Sequence, residues 1–282
     1  MHDVDAEADD RAMRAEQETY THGHAASVLR SHASRTVANS AAYLIPWLRP
    51  GAQVLDVGCG PGTITVDMAA NVAPGRVLGI EPTPDPLDDA RAHAEQVGAA
   101  NVEFAVGDVY ALDIPDDSFD VVHAHQVLQH LGDPVAALRE MLRVCRPDGV
   151  VAARDADYAA MTWYPADPRL DRWLEVYRAV AHGNGAEPDA GRRMLAWANA
   201  AGASDVTASA SVWCYATPSR RAWWGGMWAD RILTSAITRQ AVEGGHADEA
   251  ELHDISAAWR GWAASDDGWF TIIHGEIICR PA

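Results

Sequence analysis

Apolar and polar positions recur along this chain with two different periods, and the places where one gives way to the other set out its elements. Short runs of strand length are Val54-Leu55-Asp56-Val57, Arg76-Val77-Leu78-Gly79-Ile80-Glu81, Val102 to Val106, the stretch around Val121-Val122-His123-Ala124, and Val150 to Arg154. Between them the apolar residues fall at helical spacing. Ile64 and Met68 share one face, Leu87, Ala94 and Val97 line the inside of a helix over 84–97, and Val135, Leu138, Leu142 and Cys145 form the stripe of a helix opened by Asp133 as N-cap and Pro134 at N1. Strands that alternate with helices predict a parallel sheet with helices on both faces.

The two ends break that alternation. Residues 1–20 hold seven acids and two arginines with little apolar periodicity and predict a frayed or weakly helical arm. From His24 to Leu48 the pattern is helical, with Val37, Ala41, Leu44 and Leu48 as a core stripe and His32, Arg35 and Asn39 as a polar one. Beyond residue 155 the spacing predicts a helix through Leu170, Trp173, Leu174, Tyr177 and Ala181, and another from Met194 through Leu195 and Ala198 that Gly202 stops. A strand follows over Asp205 to Thr217, then a helix from Arg220 to Val242, one carrying Leu252, Ile255, Trp259 and Trp262, and a closing strand from Trp269 to Cys279. The Gly225-Gly226 pair costs a helix about 1 kcal/mol per glycine against alanine, so something is expected to lie close to that backbone. The chain thus divides into an N-terminal arm and helical segment (1–48), an α/β core (49–155), and helical cap insertions with the last two strands (156–282).

Charge and composition narrow the partners. Of 282 residues 40 are acidic and 22 basic, a net charge of −18, which repels nucleic acid and anionic membranes. The four cysteines have no paired spacing, no charged-then-apolar leader opens the chain and no apolar run is long enough for a membrane span, which together predict a reduced, cytoplasmic protein. Ten of the eleven tryptophans lie after residue 160, so the two halves are expected to do different jobs.

The chemistry gathers at Asp56-Val57-Gly58-Cys59-Gly60-Pro61-Gly62-Thr63. Three alternate glycines after a buried strand suit positive φ or a ligand lying on the backbone, and Pro61 suits the first turn of the next helix. The spacing G-x-G-x-G is tighter than the G-x-G-x-x-G that seats a dinucleotide pyrophosphate. Asp56 places a carboxylate where a phosphate would be repelled, and S-adenosylmethionine, with its sulfonium and ammonium, fits such a loop.

This stretch resembles the first motif of class I S-adenosylmethionine-dependent methyltransferases, and the continuation through about Asp155 resembles their ubiquinone/menaquinone-biosynthesis kind. Arg146 and Asp148 stand where lysine and glycine are commoner in that family. The resemblance implies a Rossmann-like, seven-stranded, mostly parallel sheet whose last strand inserts antiparallel between the fifth and sixth. It implies Glu81 as the acid that accepts from the ribose hydroxyls, Asp108 as the acceptor from the adenine amino group and the Val109 backbone as partner of the ring nitrogens. Gly58, Cys59, Gly60 and Pro82 complete the cofactor shell, and His125 and Gln126, beyond the end of the fourth strand, are expected beside the sulfonium. Residues 20–40 either present a solvated face or fold over the cofactor; in the second case Arg35 pairs with the methionine carboxylate and Tyr20 or His32 borders the substrate.

Methyl transfer is an in-line displacement, so holding the nucleophile about 3 Å from the methyl group is the main requirement. A base is optional, and His125 is the candidate. Asp155 and Asp157 are expected just past the fifth strand, either orienting a substrate amine or hydroxyl or serving as ordinary loop acids. His130 is read as fixing its loop, and no carboxylate or cysteine completes a metal set with His123, His125 and His130. Trp223, Trp224 and Trp228, around the paired glycines, suggest a hydrophobic or aromatic small-molecule acceptor methylated on C, O or N, in specialised or quinone-like metabolism. A cyclase or other protein using S-adenosylmethionine without methylation stays open, an NAD-dependent oxidoreductase is disfavoured by the glycine spacing, and the oligomeric state, a homo-oligomer included, is left undecided.

Overall fold

A computed structural model of the protein describes residues 34–282. The first described elements are a short helix α1 (Val37–Ser40), capped by Thr36, and a 3-10 segment Ala42–Trp47. Among the described residues, the single helix expected through Leu48 is therefore replaced by two shorter pieces, which part at Ala41, where the backbone leaves the helical region (φ −136°, ψ 26°). The predicted core stripe holds: Val37, Ala41, Leu44 and Leu48 are all buried, against Met68 and Val72 of the following helix and Val150 and Ala152 of the sheet.

The core alternates as predicted: β1 (Gln53–Val57), α2 (Thr63–Val72), β2 (Arg76–Glu81), α3 (Asp85–Val97), β3 (Val102–Val106), β4 (Phe119–His125), α4 (Pro134–Val144) and β5 (Cys145–Tyr164). Two details differ. Helix α2 starts at Thr63 with Gly62 as its N-cap in the left-handed region, so Pro61 lies in the loop and outside the helix. Val97 is exposed because α3 ends there, at the left-handed Gly98.

Beyond the core come α5 (Pro168–Gly183), α6 (Met194–Ala201), β6 (Ser204–Tyr215), α7 (Pro218–Thr234), α8 (Ala236–Glu243), α9 (Glu249–Ala264) and β7 (Trp269–Arg280). The helix read as one from Arg220 to Val242 is two, broken where Ser235 takes an extended backbone. Leu195 faces solvent and is not part of the stripe of α6. The sheet order is β3-β2-β1-β4-β5-β7-β6, with β7 antiparallel to both neighbours. This is the Rossmann-like, seven-stranded, mostly parallel sheet expected.

Strand β5 runs on well past Arg154, since β7 pairs with it as far as Tyr164. This long pair carries a second core, in which Trp173, Tyr177, Trp228, Trp259 and Phe270 pack together. Among the described residues no helix is long and apolar enough to cross a membrane.

Candidate active site

The loop after β1 turns on Gly58, Gly60 and Gly62, whose φ angles are 67°, 54° and 75°. A Cβ on Gly58 would come within 2.4 Å of a Val127 methyl, and one on Gly62 within 2.8 Å of the Ala90 Cβ. These two glycines are thus required by the turn and by neighbouring side chains of the protein itself. The backbone N–H groups of Gly58 and Cys59 both donate to the Ile80 carbonyl, at 2.9 and 3.1 Å, which stitches the loop to β2.

Asp56 is 3% exposed, and both its oxygens are held within the protein, one 2.8 Å from His123 Nδ1 and one accepting from the Thr65 hydroxyl at 2.6 Å. Its main local effect is to lock β1 to β4 and α2. Glu81, at the end of β2, accepts from the Gly60 N–H. Burial pushes its carboxyl up to about 7, with the Gly60 bond opposing and the nearby Asp56 adding to the rise. Asp108, past β3, accepts from the Tyr110 N–H at 2.9 Å.

A cavity of about 1360 Å³ opens above these strand ends. One end is lined by Asp56, Gly60, Glu81, Pro82, Asp108 and Val109; Gly58, Cys59, Arg35, His125 and Gln126 also reach its wall. Every residue expected at the cofactor therefore borders one cavity. Its three carboxylates suit a ligand rich in hydrogen-bond donors and positive charge, and oppose a pyrophosphate. S-adenosylmethionine meets that description.

The sheet face beneath the other end carries a polar row, His125 beside Arg154, Arg154 beside Glu276, Glu276 beside Ser209, on four adjacent strands. His125 is buried, neither ring nitrogen has a partner among the described residues, and its pKa is held well below the usual histidine value by burial and then by Arg35 and Arg154. Gln126, at φ 55°, accepts from the Arg35 guanidinium and lies 3.0 Å from His274 Nε2. Arg35 thereby brings the N-terminal segment across the cavity, and Trp213 Nε1 donates to the Asn39 carbonyl at 2.7 Å to close the other side. His130 sits 3.0 Å from the Gln129 amide, and burial lowers its pKa to about 3.

Three expected residues lie elsewhere. Asp155 and Asp157 belong to β5 itself, where strand alternation sends Arg154, Ala156 and Tyr158 to the cavity and turns the two aspartates away from it. Asp155 accepts from the Gln129 N–H at 3.2 Å, and Asp157 takes a two-point bond from Arg192 at 2.6 and 2.7 Å. Trp228 is fully buried in the aromatic core, its ring centroid 4.6 Å from that of Trp173, while Trp223 and Trp224 do border the cavity. The close approach at Gly225 is helix packing, since a Cβ there would meet the Ala263 Cβ at 2.7 Å, whereas Gly226 has nothing within 4 Å. Tyr20 and His32 fall outside the described residues.

The sequence reading missed Tyr43, Arg154, Ser211, Trp213, Tyr215 and Glu276, all on the cavity wall. A signal existed for two of them. Arg154 and Glu276 are opposite charges set in otherwise apolar strands, where an ion tolerates burial only with a partner. Among the described residues no group of histidines, cysteines and acids could hold a metal.

A family model described as a methyltransferase domain matches residues 48–202. An uncharacterised methyltransferase of Schizosaccharomyces pombe is 34% identical over 270 residues, 93% of this chain and 96% of that protein. A demethylmenaquinone methyltransferase of Listeria welshimeri is 32% identical over 133 residues, 47% of this chain and 52% of that one. Among solved structures, the YcgJ protein of Bacillus subtilis superposes with a TM-score of 0.56 at 22% identity, covering 86% of this chain and 97% of its own, a likeness of fold.

Proposed function

We propose, for a chain that belongs to the class I S-adenosylmethionine-dependent methyltransferases, that the methyl acceptor is a flat, largely apolar small molecule. The observation that carries this reading is the continuation of the cavity past the acid-lined end into a chamber walled by Trp213, Tyr215, Trp223 and Trp224. Large rings bury a flat molecule with little loss of side-chain freedom. The partial likeness to a demethylmenaquinone methyltransferase adds support for a ring acceptor.

The cofactor supplies an electrophilic methyl group. The chain's own part is to hold the two reactants in line and to keep water out. In this reading the Glu81 and Asp108 carboxylates accept hydrogen bonds from the sugar and base, and Arg35 closes over the cofactor from the N-terminal side. Burial, and then Arg35 and Arg154, hold His125 neutral and disfavour its protonation, so its part is to accept a hydrogen bond from the acceptor and orient it rather than to keep its proton. Asp155 and Asp157 have no part in the transfer.

The test is turnover with methyl-labelled S-adenosylmethionine and a panel of phenols, hydroquinones, alkyl amines and fatty acids, read by product mass. The reading expects labelled product from ring compounds. Product from the alkyl amines or fatty acids alone overturns it.

A further inference from the structure

Arg154 is buried in an unusual way. Only 1% of it is exposed, yet it borders the cavity and uses one edge of its guanidinium alone. Its Nε donates to Glu276 Oε1 at 3.2 Å and to the Ser211 hydroxyl at 3.0 Å. Glu276 is in turn fully engaged, taking the hydroxyls of Ser211 at 2.5 Å and Ser209 at 2.8 Å, and the Trp213 ring stacks 4.9 Å from the guanidinium carbon. The remaining fork, Nη1 and Nη2, is buried and has no partner among the described residues. Two unbonded donors of a buried cation are costly unless a ligand completes them. The neighbouring Tyr43 hydroxyl is buried and unpartnered as well.

Charge around the cavity points the same way. The acids Asp56, Glu81 and Asp108 stand at the cofactor end, with Arg35 across them, whereas the rest of the wall has three arginines, Arg154, Arg220 and Arg231, against the single carboxylate of Glu276. In a chain of net charge −18, that clustering of cations is local and specific.

We propose that the Nη1/Nη2 fork of Arg154 grips an anionic oxygen group of the acceptor, a carboxylate or an ionised phenol or enol, with the Tyr43 hydroxyl as a second donor. This rests on the reading that the aromatic chamber holds the acceptor, and it narrows that acceptor to a flat molecule carrying one oxyanion. A planar fork matches a carboxylate with two parallel bonds, which a lysine cannot reproduce. Glu276 and Ser211 act as positioning residues: they fix the far edge of the guanidinium so that the free edge faces the cavity.

The experiment is calorimetry on the full chain saturated with S-adenosylhomocysteine, comparing naphthoate with naphthamide, and ionised nitronaphthol with its methyl ether. The first pair reads a carboxylate, the second a phenolate. We expect the anion of at least one pair to bind about tenfold or more tightly than its neutral partner. Arg154→Lys should lose most of that preference. The double change Arg154→Met with Glu276→Gln, which leaves no lone buried charge, should abolish it while S-adenosylhomocysteine still binds. Equal binding within both pairs in the unaltered protein, absence of binding by all four included, overturns the proposal, as does a preference that survives the double change. Failure to bind S-adenosylhomocysteine would instead strike the cofactor reading.

Discussion

The carboxylate of Glu81 accepts the backbone N–H of Gly60, 21 residues earlier, so one hydrogen bond joins the end of the second strand to the turn of the glycine loop. The same carboxyl is held near pH 7 by burial, which makes it the group through which acidity reaches the cofactor end. Ribose hydroxyls donate to an ionised carboxylate better than to a protonated one, so binding favours the ionised form. Affinity for S-adenosylhomocysteine should therefore rise as pH increases through about 7 and level off above it. Glu81→Gln should flatten that profile and weaken binding by about 1.5–3 kcal/mol at alkaline pH. Calorimetry from pH 6 to pH 9 on both proteins checks it, and a profile unchanged by the substitution would remove Glu81 from the site.

Asp155 gives a second pH dependence, unrelated to catalysis. Burial raises its carboxyl from an ordinary value of 3.8 to about 8, so between those limits the folded protein holds a proton that the unfolded chain has lost. The resulting stability is lost as pH rises through that window. Asparagine keeps an oxygen for the Gln129 N–H and carries no charge, so Asp155→Asn should gain on the parent protein as pH increases from 5 to 9, by up to about 4 kcal/mol. Denaturant melts at three pH values measure the difference; parallel profiles would contradict it.

The paired glycines of α7 should respond in opposite directions. Gly225→Ala forces a methyl against Ala263 and the Trp259 carbonyl, 2.7 and 2.8 Å away, and should destabilise by about 1–3 kcal/mol despite better helix propensity. Gly226→Ala meets nothing within 4 Å and should stabilise by up to about 1 kcal/mol. Thermal unfolding of the two variants, made side by side, reads both signs.

Trp223 and Trp228 should separate chamber from core. Trp228→Ala empties a fully buried site and should cost about 3–5 kcal/mol of stability. Trp223→Ala, half-buried at the cavity wall, should leave the melting temperature nearly unchanged and raise the acceptor KM with cofactor affinity intact. A large stability loss for Trp223→Ala, with unchanged KM, would make it a packing residue.

Strand-length runs and the glycine turn were legible because each is set by neighbours a few residues away, and the family resemblance pointed to Glu81 and Asp108, which do border the cavity at the ends of β2 and β3. The acceptor end was not. Arg154 and Glu276 find each other only when β7 inserts beside β5, a pairing across 122 residues that no local spacing encodes. That insertion also extends β5 through Tyr164, which turns Asp155 and Asp157, read as loop acids at the rim, into strand residues on the far face. Trp224 and Trp228 were both read at the acceptor, and their spacing of four does put them on one buried face of α7. That spacing has no means of telling that one ring borders a cavity and the other fills a core, because that depends on α9 packing against Gly225.

A crystal structure with S-adenosylhomocysteine tests most directly the claim that one cavity has an acid-lined cofactor end and an arginine- and tryptophan-lined acceptor end. The ribose hydroxyls should lie on Glu81, the adenine beside Asp108 and Val109 and the sulfur toward His125, with the space between Arg154 and Trp223 left clear. S-adenosylhomocysteine lying across Arg154 and the tryptophans, with Glu81 untouched, would contradict it.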